Sequence, residues 1–264
     1  GELAFSKLIV ALDQHGFRVD DVKAQRLNSV RSISRDGEFL LSGLESRILD
    51  LDTVESPYLS GLMDQFMEEG FSPMLENNRG CPFSCEFCGE GDKYHSRVAK
   101  HTFDYLKEEY AYVARKMAAL RHLPFSDTVY FTDSNTGMYR MDVELSKYLH
   151  GLQREYGWPR KIITSTAKSL NQQIIECMDL LDGALIMTAS VQSTDADVLK
   201  NVKRMNIPLE QMATLAKGER GKGSSYSEII LGLPGDSYAR HLQSMKDMLD
   251  VNINELRVAQ LMIL

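Results

Sequence analysis

From residue 72 onward, short apolar segments alternate with longer amphipathic segments, and this alternation constrains the fold more than any other feature. Helical periodicity is clearest in 103–120, where apolar residues recur at steps of three and four. Such alternation predicts βαβ units and a parallel sheet. Right-handed crossovers would curl this sheet into an open or partial barrel, or leave it as a doubly wound sheet. Strands are predicted at 73–76, 128–131, 161–166, 184–191, 227–233 and 257–264, and helices at 103–120, 142–156, 170–181, 195–205, 208–217 and 238–250.

Residues 1–71 lack this regular alternation. Residues 1–16 have the spacing of a helix with Phe5, Leu8, Ile9 and Leu12 on one face. The stretch that follows is mixed and charged, with one further short helix predicted between Leu59 and Phe66. We therefore expect two parts: an N-terminal helical and irregular connector at 1–71, and an α/β core domain at 72–264.

The composition is that of an ordinary globular protein: 264 residues, 43% hydrophobic and 25% charged. The net charge of −7 argues against a nucleic-acid partner. A run of about 18 apolar residues is missing, so no membrane-spanning segment is expected. The chain starts at Gly1 without an initiator methionine and stops inside its sixth predicted strand, which indicates a piece of a longer chain.

Three of the four cysteines, Cys81, Cys85 and Cys88, lie within eight residues and follow the first predicted strand. Clustered thiols in a chain of this size favour a metal site and a reducing, cytoplasmic compartment over a disulfide framework. Soft thiolates suit an iron–sulfur cluster, and three local ligands leave one iron open to an external ligand. Two alternatives are a zinc-binding structural or regulatory module and an electron carrier with a fully ligated cluster.

The fourth ligand of a closed site would have to come from Cys177 or a histidine. Cys177 shares the apolar face of its predicted helix, so we interpret it as a core thiol. His95 and His101 follow the cysteine loop, and we interpret both as surface histidines. Neither set of residues gives a clear fourth ligand.

The loop from Arg79 to Gly91, with its cysteine spacing, its position and the aromatic Phe87, resembles the radical-SAM superfamily. The resemblance implies a partial (β/α)6 barrel and a [4Fe–4S] cluster on the three cysteines. It also implies S-adenosylmethionine as a bound cofactor, and a one-electron donor such as a flavodoxin or ferredoxin. In this loop it implies cofactor contacts from Phe87, Gly89 and Glu90.

The resemblance extends to the ends of later strands. Asp133, Ser134 and Asn135 follow the second strand, where many family members have a Gly-Gly-Glu turn that binds the methionine amino group. This chain departs from that turn, so its three polar residues are either ammonium acceptors or a simple Asx-rich turn.

Two further stretches resemble radical-SAM enzymes related to the coproporphyrinogen dehydrogenases. They imply that Ser190 and Gln192 contact the cofactor and that Arg204 grips its carboxylate. Glu228 stands where an acidic residue binds the ribose, and Gly232 lets the ligand approach the backbone closely.

The segment before the cysteines resembles a linker of radical-SAM proteins that have an N-terminal cobalamin-binding domain. It implies that a longer parent chain could use cobalamin, although no cobalamin motif of the His-x-x-Gly kind occurs here. The predicted function is therefore a radical-SAM enzyme that methylates or rearranges an unactivated carbon, with a cobalamin-dependent methyltransferase as one form. The sequence does not identify the substrate.

Overall fold

The computed structural model describes residues 1–166, 168, 172–185, 190–210, 212 and 226–262. The chain forms two compact units, 1–48 and 49–264. The second unit begins at Leu49. The predicted boundary between a connector and a core domain after residue 71 stays a prediction.

The first unit contains two helices and a small antiparallel pair of strands. Helix α1 spans Glu2–Gln14 and α2 spans Val19–Val22, while β1 (Ser32–Ile33) pairs with β2 (Phe39–Leu40). The predicted apolar face of α1 is partly wrong. Its buried residues are alanines, whereas Phe5 is 65% exposed, because the close contact on this helix is made by its small side chains.

The second unit contains the long helices and most of the strands of the predicted core domain. Its helices are α3 (Asp64–Glu68), α4 (Phe103–Ala119), α5 (Arg140–Tyr156), α6 (Gln172–Leu180), α7 (Ala196–Asn201) and α8 (Tyr238–Asp250). Its strands are β3 (Met74–Leu75), β4 (Asn78–Arg79), β5 (Ala99–Lys100), β6 (Thr128–Phe131), β7 (Lys161–Ile163), β8 (Tyr226–Leu231) and β9 (Glu255–Gln260). None of the helices among the described residues is long and apolar enough to cross a membrane.

The strands that alternate with the long helices pair in parallel and in chain order, which confirms the predicted α/β class. β3 pairs with β6, β6 with β7, and β8 with β9, all in parallel. Residues 186–189 of the fourth predicted strand lie outside the described residues. Its two ends make parallel bridges, from Leu185 to Ile162 and from Gln192 to Ile229. Chain-order neighbours are the topology of a (β/α) barrel, here a partial one.

The main core lies between this sheet and the helices α4, α5 and α6. Leu106, Tyr110 and Val113 of α4 are fully buried, as the helical spacing predicted. They pack with strand residues such as Val129 and Ile162, which are also fully buried. Full burial of one such side chain contributes roughly 1.5–3 kcal/mol, so this cluster fixes the strand ends that carry the polar residues.

The helix predicted at 195–205 is shorter in the structure. It ends at Asn201, and its N-cap is Asp195. The Asp195 side chain accepts hydrogen bonds from the backbone of Asp197 and Val198. The chain then turns through Lys203, whose φ is +53°. The helix predicted at 208–217 falls mostly outside the described residues.

The short helix predicted between Leu59 and Phe66 is displaced along the chain. The structure has turns at that point and begins its helix, α3, at Asp64. A helix of five residues has too little apolar periodicity for its ends to be located from sequence.

Candidate cofactor site

The cysteine loop is closed at its base by a two-stranded ribbon. β4 and β5 pair antiparallel, with Arg79 opposite Ala99, so both ends of the loop leave from neighbouring positions. Inside the loop the Cys81 N–H donates to the His95 carbonyl at 3.0 Å, and the Cys88 N–H donates to the Cys85 carbonyl at 3.1 Å. All the cysteines of the chain are free thiols, and Cys81 and Cys85 are buried.

Gly91 allows the loop to turn back on itself. Its N–H donates to the Cys88 carbonyl at 2.9 Å. A Cβ atom at this position would lie 2.2 Å from the carbonyl oxygen of Cys85, which is far inside van der Waals contact. The loop therefore needs glycine here because of close backbone approach.

Two nitrogen donors face the sulfur atoms. The Asn135 side-chain amide donates to Cys81 Sγ at 3.3 Å. The Lys168 Nζ lies 3.5 Å from Cys81 Sγ and 3.8 Å from Cys85 Sγ. Sequence reasoning missed Lys168, because only the third strand's position in the sheet brings residue 168 to the cysteine loop.

Arg204 is a buried cation beside the same loop. It is 8% exposed, its Nε donates to the Asn206 side chain at 3.0 Å, and it also donates to the Ser190 carbonyl. The guanidinium lies 5.8 Å from the centre of the Phe87 ring. Burial lowers the pKa of Arg204, while the nearby Cys85 thiol favours its charged form.

Asp133 holds the backbone that leads into the cysteine loop. Its carboxylate accepts from the backbone and side-chain nitrogens of both Asn77 and Asn78, at 2.7–3.1 Å. Burial raises the pKa of Asp133 to about 7, against the opposing effect of these hydrogen bonds. With four donors already bound, this carboxylate has little capacity left for an external ammonium.

The other two residues after the second strand also contact the cysteine loop. Ser134 donates to the Glu90 carboxylate, at 2.5 Å. Asn135 is 1% exposed, and its carbonyl oxygen is buried without a hydrogen-bond partner in the described part of the chain. The polar turn thus connects the second strand to the loop rather than standing alone.

The fourth and fifth strands meet at Gln192 and Glu228. The Gln192 N–H donates to the Glu228 carbonyl at 2.7 Å, and the Ser190 hydroxyl donates to the Glu228 carboxylate at 2.7 Å. Gln192 has a φ of +67°, uncommon for a residue with a side chain. Its buried side-chain oxygen has no partner among the described residues.

A cavity of about 390 Å³ lies where these strand ends meet the cysteine loop. Most residues predicted to bind the cofactor line it: Phe87, Cys88, Glu90, Asp133, Ser134, Ser190, Gln192, Arg204 and Glu228. Asn135 is buried against Cys81 outside it. Gly89 lines a separate groove on the other side of the loop, and Gly232 follows β8 in an exposed turn with a φ of +88°. The individual ligand assignments stay predictions.

Two further residues singled out in the sequence lie elsewhere. Cys177 is fully buried in the main core, and burial raises the pKa of its thiol to about 11. The interpretation of His101 as a surface residue is wrong. It is 7% exposed, and its Nδ1 lies 2.9 Å from the Asp52 carboxylate because β5 carries it inward.

No three His, Cys, Asp or Glu side chains among the described residues are grouped closely enough to hold a single metal ion.

Sequence comparisons give two relatives, although no protein-family model matches the chain. The chain is 31% identical over 278 residues to the cobalamin-dependent radical SAM methyltransferase TokK of Streptomyces tokunonensis, covering 100% of this chain and 38% of TokK. It is 31% identical over 223 residues to the 2-(S-pantetheinyl)-carbapenam-3-carboxylate methyltransferase of Streptantibioticus cattleyicolor, covering 79% of this chain and 31% of that protein. The chain belongs to the radical-SAM superfamily.

Solved structures agree with the predicted radical-SAM fold. The methyltransferase TsrM from Kitasatospora setae matches with a TM-score of 0.67 at 11% identity, over 98% of this chain and 49% of TsrM. The cobalamin-dependent radical enzyme OxsB matches with a TM-score of 0.60 at 15% identity, over 95% of this chain and 35% of OxsB. This radical-SAM chain thus spans less than half the length of each of these relatives.

Proposed function

We propose that this chain is the catalytic core of a radical-SAM enzyme, with a [4Fe–4S] cluster on Cys81, Cys85 and Cys88. The observation that carries the proposal is that Cys88 of this loop lines the 390 Å³ cavity together with the polar ends of successive parallel strands. Ligands in folds of this class bind at the carboxyl ends of the strands. Family membership favours this function over a zinc module or a simple electron carrier.

The residues around the thiols fit an iron–sulfur cluster. Three sulfur ligands come from one loop, and the N–H groups of Asn135 and Lys168 point at two of the sulfurs. Hydrogen bonds to cluster sulfurs are one means by which proteins set the cluster's reduction potential. When bound, the reduced cluster supplies the electron that cleaves S-adenosylmethionine into methionine and a 5′-deoxyadenosyl radical.

The chain's own residues would bind and orient the cofactor. Arg204 offers a planar, buried guanidinium to the methionine carboxylate. Glu228 offers a carboxylate to the ribose hydroxyls, with Ser190 holding it in place at 2.7 Å. Gln192 contributes a buried amide, and Phe87 covers the loop against water. Glu90 and Ser134 form a polar pair at the cavity wall, and their oxygen atoms would accept from the amino group.

We further propose that the parent protein transfers a methyl group and uses cobalamin. The support is that both sequence relatives are named as methyltransferases and one of them as cobalamin-dependent. The site for cobalamin would lie in the parent chain beyond these residues. Rearrangement of the carbon skeleton remains the second form of the reaction. We also propose a cytoplasmic location, because clustered free thiols favour a reducing compartment. A flavodoxin or ferredoxin would supply the low-potential electron.

Anaerobic reconstitution with iron and sulfide tests the core function. We expect about four iron atoms per chain, and formation of 5′-deoxyadenosine on addition of dithionite and S-adenosylmethionine. Cys88→Ala should lose the iron and form no 5′-deoxyadenosine. Cys177→Ala, which removes a core thiol, should keep the iron and still form 5′-deoxyadenosine. One zinc per chain, or a cluster whose electron-spin resonance spectrum ignores S-adenosylmethionine, would replace this proposal with one of the alternatives.

The longer parent chain tests methyl transfer. It should release both 5′-deoxyadenosine and S-adenosylhomocysteine when supplied with cobalamin and its substrate. Formation of 5′-deoxyadenosine alone, independent of cobalamin, would point to rearrangement.

A further inference from the structure

We propose that Lys168 is an electrostatic partner of the cluster, whose positive charge makes the cluster easier to reduce. The inference rests on the proposed function, because it concerns the same three thiols. It goes beyond the cysteine motif, since Lys168 belongs to no part of that motif and lies eighty residues further along the chain.

The position of the ammonium carries the argument. Lys168 Nζ lies 3.5 Å from Cys81 Sγ and 3.8 Å from Cys85 Sγ, so one cation contacts two of the three ligand sulfurs. On its other side it lies 4.6 Å from the centre of the Phe83 ring. That ring holds the ammonium by a cation–π interaction, from within the same loop.

Burial of the two sulfur atoms strengthens their interaction with the ammonium group. Cys81 and Cys85 are each 2% exposed, so the ammonium and the sulfurs interact with little screening by water. Glu90, a carboxylate of the loop that lines the same cavity as Lys168, accepts a hydrogen bond from Ser134. Arg204 is a second cation that interacts with the cysteine sulfurs, chiefly with Cys85, and it is also held by Ser190 and Asn206. Its contribution is the same in the original chain and in a Lys168 variant.

The physical consequence concerns the reduced cluster. Reduction adds one negative charge to a centre that already carries thiolates. A fixed positive charge in contact with those thiolates stabilises the reduced form more than the oxidised form, and so raises the midpoint potential. A lysine serves this purpose as a compact point charge.

Lys168 also lines the cavity, which gives it a competing role. It could act only on the carboxylate of S-adenosylmethionine and leave the cluster unaffected. The two roles can be distinguished without any catalytic turnover. An effect of Lys168 on the cluster is present before S-adenosylmethionine is added, whereas an effect on the S-adenosylmethionine carboxylate is not.

The test is a redox titration of the reconstituted chain, followed by electron-spin resonance in the absence of S-adenosylmethionine. In Lys168→Gln we expect the ratio of reduced to oxidised cluster at a fixed potential to fall about tenfold, or about 59 mV for a one-electron couple. Lys168→Arg should keep most of the original potential. Lys161→Gln, an exposed lysine at the start of β7 and seven residues before Lys168, is the matched control and should change nothing.

Each other outcome decides the matter. Equal midpoint potentials for Lys168→Gln and the unaltered chain would overturn the inference. This holds even if Lys168→Gln has a lower affinity for S-adenosylmethionine. A cluster that fails to assemble in Lys168→Gln but assembles in Lys168→Arg would support the need for a cation. Failure in both would assign Lys168 a steric role instead. If the unaltered chain holds no four-iron cluster, the proposed function itself fails.

Discussion

The cysteine loop can close only because Gly91 has no side chain. A methyl group at this position would lie 2.2 Å from the Cys85 carbonyl oxygen. We expect Gly91→Ala to push the loop apart and to lower the iron content after reconstitution by at least about half, since the ligands of a cluster must be held in fixed geometry. Iron and sulfide analysis per folded chain measures this.

The matched control for that change is Gly151→Ala in helix α5. Nothing lies within 4 Å of the added methyl group there. Alanine should keep the iron content and raise the free energy of unfolding by roughly 1 kcal/mol, because glycine is the poorer helix former. An unchanged iron content in Gly91→Ala would show that the loop can relax around a side chain.

The buried carboxyl of Asp133 predicts a pH dependence of stability. Its folded pKa of about 7 exceeds the usual value of 3.8, so the folded chain binds the proton more tightly than the unfolded chain. The stabilisation is complete below about pH 4 and is lost as the pH rises through about 7. It amounts to up to about 4 kcal/mol.

Urea unfolding of the cluster-free chain between about pH 5 and about pH 8 checks this sign. The measured quantity is the free energy of unfolding of the original chain minus that of Asp133→Asn. This difference should fall from about pH 5 to about pH 8, because the Asp133 carboxyl titrates in this range and the amide of the variant does not. The exposed Asp197→Asn should give a constant difference. A constant difference for Asp133→Asn as well would contradict the raised pKa.

Single residues also mark the limit of what the sequence predicts about the site. The three cysteines are recognisable because their spacing is local. Arg204 and Glu228 are recognisable only through family resemblance. Lys168 and the asparagines that bind Asp133 have no local signal, since their roles arise only when separate strands come together. Asp133 itself was interpreted as a possible ligand, yet its carboxylate is engaged by the protein.

At the scale of elements, apolar periodicity predicts the long helices and fails for the short ones. Helices α4 and α5 have clear stripes and lie where the pattern places them. α7 has six residues, and its extent depends on one cap and on a turn at Lys203. Such an end is set by backbone hydrogen bonds that periodicity does not report.

Helix α7 has its N-cap, Asp195, at one end and contacts the cysteine loop just beyond its other end. After the helix, the Val202 carbonyl accepts from the Glu86 N–H in the cysteine loop at 3.1 Å. We expect Asp195→Ala to lower the free energy of unfolding by about 1 kcal/mol, the usual cost of losing an N-cap, and to weaken the binding of S-adenosylmethionine through Arg204. Chemical unfolding and equilibrium binding measure the two effects.

Asp197→Ala is the control for that change, because Asp197 lies in the same turn but its carboxylate is 76% exposed. It should alter the free energy of unfolding by no more than a few tenths of a kcal/mol. Equal effects of the two substitutions would mean that the cap does not determine the stability of α7.

At the scale of the whole chain, the cores and the cofactor site belong to one unit. Every residue of the three buried clusters lies within 49–264. We expect residues 49–264, expressed without 1–48, to fold cooperatively and to bind the same iron content as the full chain. Circular dichroism and iron analysis test this, and loss of either would show that the first unit is needed for folding.

The order of strands along the chain has a consequence for biosynthesis. Because the thiols come from the first βα connection and the cavity walls from the fourth and fifth strands, a chain emerging from the ribosome presents its cysteines long before Arg204 and Glu228 have been made. During that interval the sulfur atoms meet solvent, dissolved oxygen and stray copper or zinc with no wall to exclude them. The thiols of the nascent chain are therefore more open to oxidation than those of the folded chain, where Cys81 and Cys85 are buried.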